Sequence, residues 1–251
     1  MSNTAGRAGA EIAPDKDKID ALSNEAVEAF QKGDYEKVMR NCKMLVEQKP
    51  AMVFAWSLLG TAELILGSKD LTMNGGLNEQ QEALLRDAIK HFDTSTSLAG
   101  DNKDALTLNN KANALGLLEE WEQAVDVYEE AFQITLDTRM KDFEVIPMMN
   151  KALGLFELNR DQAAEEQLQR TIRRNPDYPD AYAALATVLW GQGMKFKAAD
   201  SFDKLCDLDY GLCDAYSDIR VVLGRWPKRA IRTYRDFLEA YRDERKQVVL
   251  K

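Results

Sequence analysis

Trp121-Glu122-Gln123-Ala124-Val125-Asp126-Val127-Tyr128-Glu129-Glu130-Ala131 is the stretch whose reading decides the fold. Trp121, Ala124, Val125, Tyr128 and Ala131 recur at three- and four-residue steps, which lines one side of a helix with apolar groups and leaves the acids on the other. The two alanines let a neighbouring helix approach closely, and the two large rings fill the space beyond that contact. The same alternation returns along the chain. The Ala124 position is held again by Val38, Ala88, Ala164 and Ala198, and the Tyr128 position by Cys42, Phe92, Leu168 and Phe202.

Upstream of each such segment lies a second one, with a small residue at Ala26, Gly60, Ala112, Ala152 or Ala186 and a large one at Leu22, Trp56, Leu108, Met148 or Tyr182. The small residues are spaced 34, 52, 40 and 34, so one period of 34 runs through the chain, with added residues in the second and third intervals. Turn residues such as Lys32-Gly33-Asp34-Tyr35 separate the two segments of a unit, which makes each unit a helical hairpin. A single hairpin cannot bury its apolar side, whereas five stacked hairpins can. The expectation is an all-α solenoid of antiparallel helix pairs.

Trp56-x-x-Leu59-Gly60, Gly33-Asp34-Tyr35, the Trp121 to Ala131 stretch, and Pro50 and Pro176 at the ends of their units together resemble the tetratricopeptide repeat. The resemblance implies a right-handed superhelix of helix pairs. It covers roughly residues 19–210, so five repeats are expected over residues 19–212 and a degenerate sixth helix pair with a basic cap over residues 213–251, while residues 1–18, which show no periodic apolar face, are expected to be a mobile tail. Glu25, Lys111 and Lys151 stand where the family prefers Leu, and Gly100, Leu136 and Tyr210 where it prefers Pro. The insertion at residues 68–83, with Asn74-Gly75-Gly76, is expected to leave the solenoid as a loop, with a short helix around Glu79 to Leu85.

The 251 residues carry a net charge of −9, 45% hydrophobic residues and 30% charged ones, which excludes collagen-like, low-complexity and wholly disordered chains. No apolar run is long enough to cross a membrane, and Met1 to Lys18 bears charges where a secretion signal would be apolar. With His91 as the single histidine, zinc sites built on several imidazoles are impossible within one chain. There is no phosphate-binding glycine loop, dinucleotide fingerprint or nucleophile elbow, and Glu119 with Glu120 lack a catalytic constellation. The expectation is a protein that is not an enzyme and has no metal and no cofactor.

Function in a solenoid of this kind lies on the face built from the first helices. Asn24, Asn110 and Asn150 fall at the sixth position of the repeat and Asn113 at the ninth. The resemblance implies that amides there contact the backbone of a bound segment, since an amide both donates and accepts. The clamp by which co-chaperone members hold a chaperone's carboxylate tail is not reproduced, because Asn109, Asp180 and Ala184 occupy its cation positions. The partner expected is a peptide segment or subunit of another protein.

The ends are oppositely charged. Ten basic against four acidic residues lie between Arg220 and Lys251, a balance of +6, which leaves −15 for the rest. Nucleic acid is repelled over most of that length, while Arg225, Lys228, Arg229, Arg232 and Arg235 form a basic patch suited to an acidic partner or to self-association. Arg232 with Asp236 and Arg235 with Glu239 can also pair along a solvated helix whose other side, from Ile231 to Tyr241, caps the last hairpin. Arg225-Trp226-Pro227, with the Asn-Lys-Ala openings of the third and fourth units, resembles plant and algal plastid repeat proteins. That resemblance implies the thylakoid lumen or stroma and a role in assembling photosynthetic complexes; without it the compartment would be cytoplasmic. Cys206 and Cys213 are close enough in sequence to bridge, but inert buried thiols are the expectation.

Overall fold

The computed structural model describes residues 16–69, 76–209 and 211–249. Five hairpins follow one another: α1 (Lys16–Gln31) with α2 (Tyr35–Gln48), α3 (Val53–Gly67) with α4 (Glu79–Ala99), α5 (Ala105–Leu117) with α6 (Trp121–Asp137), α7 (Lys141–Glu157) with α8 (Asp161–Arg174), and α9 (Pro179–Gly191) with α10 (Lys195–Leu208). Each second helix also packs on the first helix of the next unit, α2 on α3, α4 on α5, α6 on α7 and α8 on α9, so the chain stacks as a right-handed superhelical solenoid.

The small and large positions read from sequence form its interior. Ala26, Ala112, Ala152 and Ala186 are fully buried, and so are Cys42, Phe92, Leu168 and Phe202. Gly60 and Gly116 mark the tightest approaches: a methyl built on Gly60 would meet the Phe92 ring at 2.8 Å, and one on Gly116 the Trp121 ring at 2.6 Å. The hairpin turns use a left-handed residue, glycine at Gly33 and Gly193 but Glu119 and Asn159 in the third and fourth units. Two of the residues that depart from the family's Leu pair with the second helix of the preceding unit: Lys111 with Asp93, and Lys151 with Glu129 at 2.7 Å.

Two expectations change here. The helix expected around Glu79 to Leu85 is not a short separate one: Glu79 opens α4, which continues unbroken to Ala99. Asn78 and Gln81 form a reciprocal capping box that fixes its start. Residues 70–75 of the insertion and 1–15 of the tail lie outside the described residues, and Lys16 to Lys18 already belong to α1.

The sixth unit is not a regular pair. Its first helix is reduced to the five residues of α11 (Leu212–Tyr216) and a 3-10 turn at Ile219–Val221, where Gly211 and Asp218 break the helical run. Its second, α12 (Lys228–Val249), packs mainly against α9 and α7. The apolar stripe explains this seat, because Ile231, Tyr234, Phe237, Leu238 and Tyr241 are all buried and a five-residue helix is too small to cover them. Phe237 meets Trp190 edge-on at 5.8 Å, and Tyr241 meets Phe202 at 5.0 Å. Among the described residues no helix is long and apolar enough to cross a membrane.

Candidate functional site

The first helices α3, α5 and α7 carry a polar seam across three units. Ser57 and Thr107 share a hydrogen bond of 2.7 Å, and Thr107 also donates to Asp104. Asn110 donates to Thr61 across the same joint, at 3.4 Å. One unit further, Asn150 donates to Asn109 at 3.2 Å and more weakly to Asn113, whose oxygen takes the Tyr128 hydroxyl at 2.7 Å. Burial pushes the Tyr128 phenol up, so it stays a neutral donor to that amide.

The structure therefore brings Asn110, Asn113 and Asn150 together but gives their amides work inside the chain. Asn113 and Asn150 belong to an inter-unit network with Asn109, and Asn109 is the member that reasoning from repeat positions missed. Its sequence signal was the Asn109-Asn110 pair itself, one residue facing the joint and one the groove. Asn24 is exposed on α1, two helices before α3, and has no part in the seam.

Beside the seam runs an uncharged strip. Phe54 and Leu106 stand at the same repeat position of α3 and α5, six residues before the small residue of each unit, and are 45% and 49% exposed. Leu58 and Thr61 on α3 and Asn110 on α5 follow at helical spacing on the same side. α3 has no basic residue, and its one acid, Glu63, is buried in a 2.6 Å contact with Nδ1 of His91. An apolar helix with one flank in water is the pattern of a surface waiting to be covered.

In the fourth and fifth units the same face is already covered, by the chain itself. Arg225 donates to both oxygens of Asp180, the residue of α9 that aligns with Phe54 and Leu106. That carboxylate is 4% exposed and also accepts the Tyr216 hydroxyl at 2.7 Å. Arg229 lies 3.6 Å over the Phe156 ring and makes a two-fold contact with Asp161, and Lys228 reaches Glu119 at 3.0 Å. Glu157 accepts the backbone N–H of Ala230 at 3.0 Å and so caps the start of α12 from another helix. The basic patch is thus not free. Arg225, Lys228 and Arg229 are spent on the chain's own carboxylates, while Arg232 is exposed and Arg235 half-buried.

Trp226 is buried beside Tyr234, with ring centroids 5.3 Å apart, as a plug beneath the segment that enters α12. Cys206 and Cys213 are joined in a disulfide across Cα atoms 4.4 Å apart, which corrects the expectation of inert thiols: the turn at Gly211 folds α11 back onto the end of α10. The remaining cysteine, Cys42, is buried, and burial together with the nearby Glu63 charge pushes its thiol up to about 12.

No protein-family model matches the chain. Among solved structures it is similar to MamA residues 41 to the end from Desulfovibrio magneticus RS-1, at 17% identity and a TM-score of 0.62 over 76% of this chain and 95% of that one. It is similar to PilF of Pseudomonas aeruginosa at 18% identity and a TM-score of 0.59, over 92% of each chain. It also matches YrrB, described as a TPR protein with an unusual peptide-binding site, at 13% identity and a TM-score of 0.56 over 77% of this chain and 89% of that one. The fold is that of the tetratricopeptide repeat. In this tetratricopeptide solenoid the first-helix face is divided: units two and three present a bare, uncharged strip, and units four and five hold α12.

Proposed function

We propose that this protein is a non-catalytic interaction scaffold that binds a segment of a partner protein along the first helices of units two and three. The observation that carries the reading is the uncharged strip of Phe54, Leu58, Thr61, Leu106 and Asn110, left bare where α12 covers the rest of the same face. A peptide lying there meets apolar side chains for its own and the Asn110 amide for its backbone. Asn110 faces that groove with only a long hydrogen bond to hold it, whereas Asn113 and Asn150 shape the floor. The solved structure described as having a peptide-binding site shares this fold, which supports the reading without naming the ligand.

The test is affinity capture from native extract with intact protein, a Phe54→Asp/Leu106→Asp variant and a Phe196→Asp control. Phe196 is 93% exposed on α10, away from the strip, so its variant controls for added charge. Partners lost only from the double variant, with melting unchanged, support the reading; equal capture by all three proteins overturns it. A finer role, the assembly or upkeep of photosynthetic membrane complexes in a plastid, rests on the Arg225-Trp226-Pro227 resemblance. It requires that the captured partners be subunits of such complexes.

A further inference from the structure

We propose that the Cys206–Cys213 bridge is a redox latch on the C-terminal segment, and that its reduction by a dithiol loosens α11 and α12 from the first-helix face of units four and five. The latch stands on its own geometry; only its consequence for partner binding rests on the function proposed above.

The bridge ties the end of α10 to a helix that cannot hold itself. Five residues are too few for an independent helix, so α11 depends on its attachments. One is the disulfide at Cys213. The other is Tyr216, one helical turn on, whose hydroxyl donates to the buried Asp180 and whose carbonyl takes the Tyr234 hydroxyl of α12 at 2.6 Å. Next to it the Ser217 carbonyl accepts from Arg242 of α12. α11 is therefore the joint between α9 and α12, and one end of that joint is a bond that a reductant can break.

Access and chemistry agree. Cys206 and Cys213 are half-buried at the edge of the core, and Asp207, Asp209 and Asp214 beside them are exposed. A thiolate of the dithiol attacks one sulfur, the S–S bond breaks, and a mixed disulfide forms. The second thiol of the reductant then attacks its own half of that mixed disulfide and releases the remaining cysteine. Two electrons and two protons pass to the protein, and the dithiol leaves as its own disulfide. Cys42 cannot shuffle with the pair, because it is buried in the first hairpin and its thiol stays protonated.

Closing so short a loop shifts the opening equilibrium of α11 by about 50-fold on the chain-entropy account. For α12 the shift is about tenfold, the effect of weakening the two hydrogen bonds to Tyr216 and Ser217. Full release is not expected, because α12 keeps its five apolar residues buried. Reduction sets how often the face beneath α12 is uncovered.

Hydrogen exchange of the full chain read by mass spectrometry, with and without dithiothreitol and with alkylation to report the bridge, tests this directly. Reduction is expected to speed exchange of α11 about 50-fold and of α12 about tenfold, leaving α1 to α6 unchanged. A Cys206→Ser/Cys213→Ser variant should exchange like the reduced protein and ignore the reductant. Alkylation of both cysteines without reductant, or a reduced bridge with unaltered α11 and α12, overturns the latch. So does a change spread evenly over all helices, which marks a general brace. None of these readings involves a partner, so failure of the latch and failure of the proposed function remain distinct.

Discussion

Gly116 touches the Trp121 ring so closely that the position has no room for a methyl group. Gly116→Ala must push an indole that is itself wedged between hairpins, and the cost expected for such overpacking is about 1–3 kcal/mol, read as a lower urea midpoint. An unchanged midpoint would show that the ring has somewhere to go. His91 holds Glu63, a carboxylate in the middle of an apolar helix with 2% side-chain exposure. His91→Ala leaves that acid without its 2.6 Å partner, and the expected loss is about 2 kcal/mol, less than for a fully buried pair because the imidazole is partly exposed. Glu63→Gln should cost less than His91→Ala. The small and large positions were legible in the sequence because packing repeats with the period. The partners of Lys111, Lys151 and Asn150 were not, because a polar residue on a helix states what it offers and not which neighbour takes it.

At the scale of the element, α12 is held at its first turn by Glu157. This half-buried carboxyl has its pKa raised, first by burial and against the pull of the Ala230 and Arg229 N–H groups and the nearby arginine charges. A raised folded-state value means that the folded protein binds this proton more tightly than the unfolded chain. Its contribution to stability is then complete below the unfolded carboxyl value of about 4.3 and declines as pH rises through the folded one. Glu157→Gln keeps an oxygen for Ala230 and removes the titration. The difference in stability between wild type and variant should therefore move in the variant's favour as pH rises from 4 towards 7; urea titrations at several pH values would show a flat difference if the account is wrong. The amphipathic stripe of α12 was visible from Ile231 to Tyr241. Its seat on α9 and α7 was not, since periodicity tells which side of a helix is apolar and not what covers it. The same limit hid the length of α4, of which a short helix around Glu79 to Leu85 was expected and which runs on to Ala99.

Across the whole molecule, stability is unevenly spread. One continuous apolar cluster joins Val125 to the C-terminal aromatics through α7, α8, α9 and α10, while the first three units hold several smaller clusters. In a solenoid, where each unit is stabilised by its neighbours, opening starts where those contacts are thinnest. Amide exchange is expected to be faster in α1 and α2 than in α7 and α9; the reverse order would contradict the cluster map. The opposite charges of the two ends, plain in the sequence, suggested end-to-end association. With Arg225, Lys228 and Arg229 engaged internally that attraction is blunted. Sedimentation velocity at low and moderate salt should give one concentration-independent species, and mass that grows on dilution of salt would restore the self-association reading.

Glu119 sits at the third hairpin turn with φ of 63°, where the first and fifth units use glycine. A side chain in that region costs about 1 kcal/mol, and its exposed pairing with Lys228 returns at most a similar amount. The turn thus accepts local discomfort to touch a residue 109 positions away. For anyone idealising this repeat, Glu119→Gly would improve the hairpin as an isolated part while cutting a tie between distant ends of the chain. A consensus repeat assembled from the best local choices would be a sturdier rod and a poorer copy of this molecule.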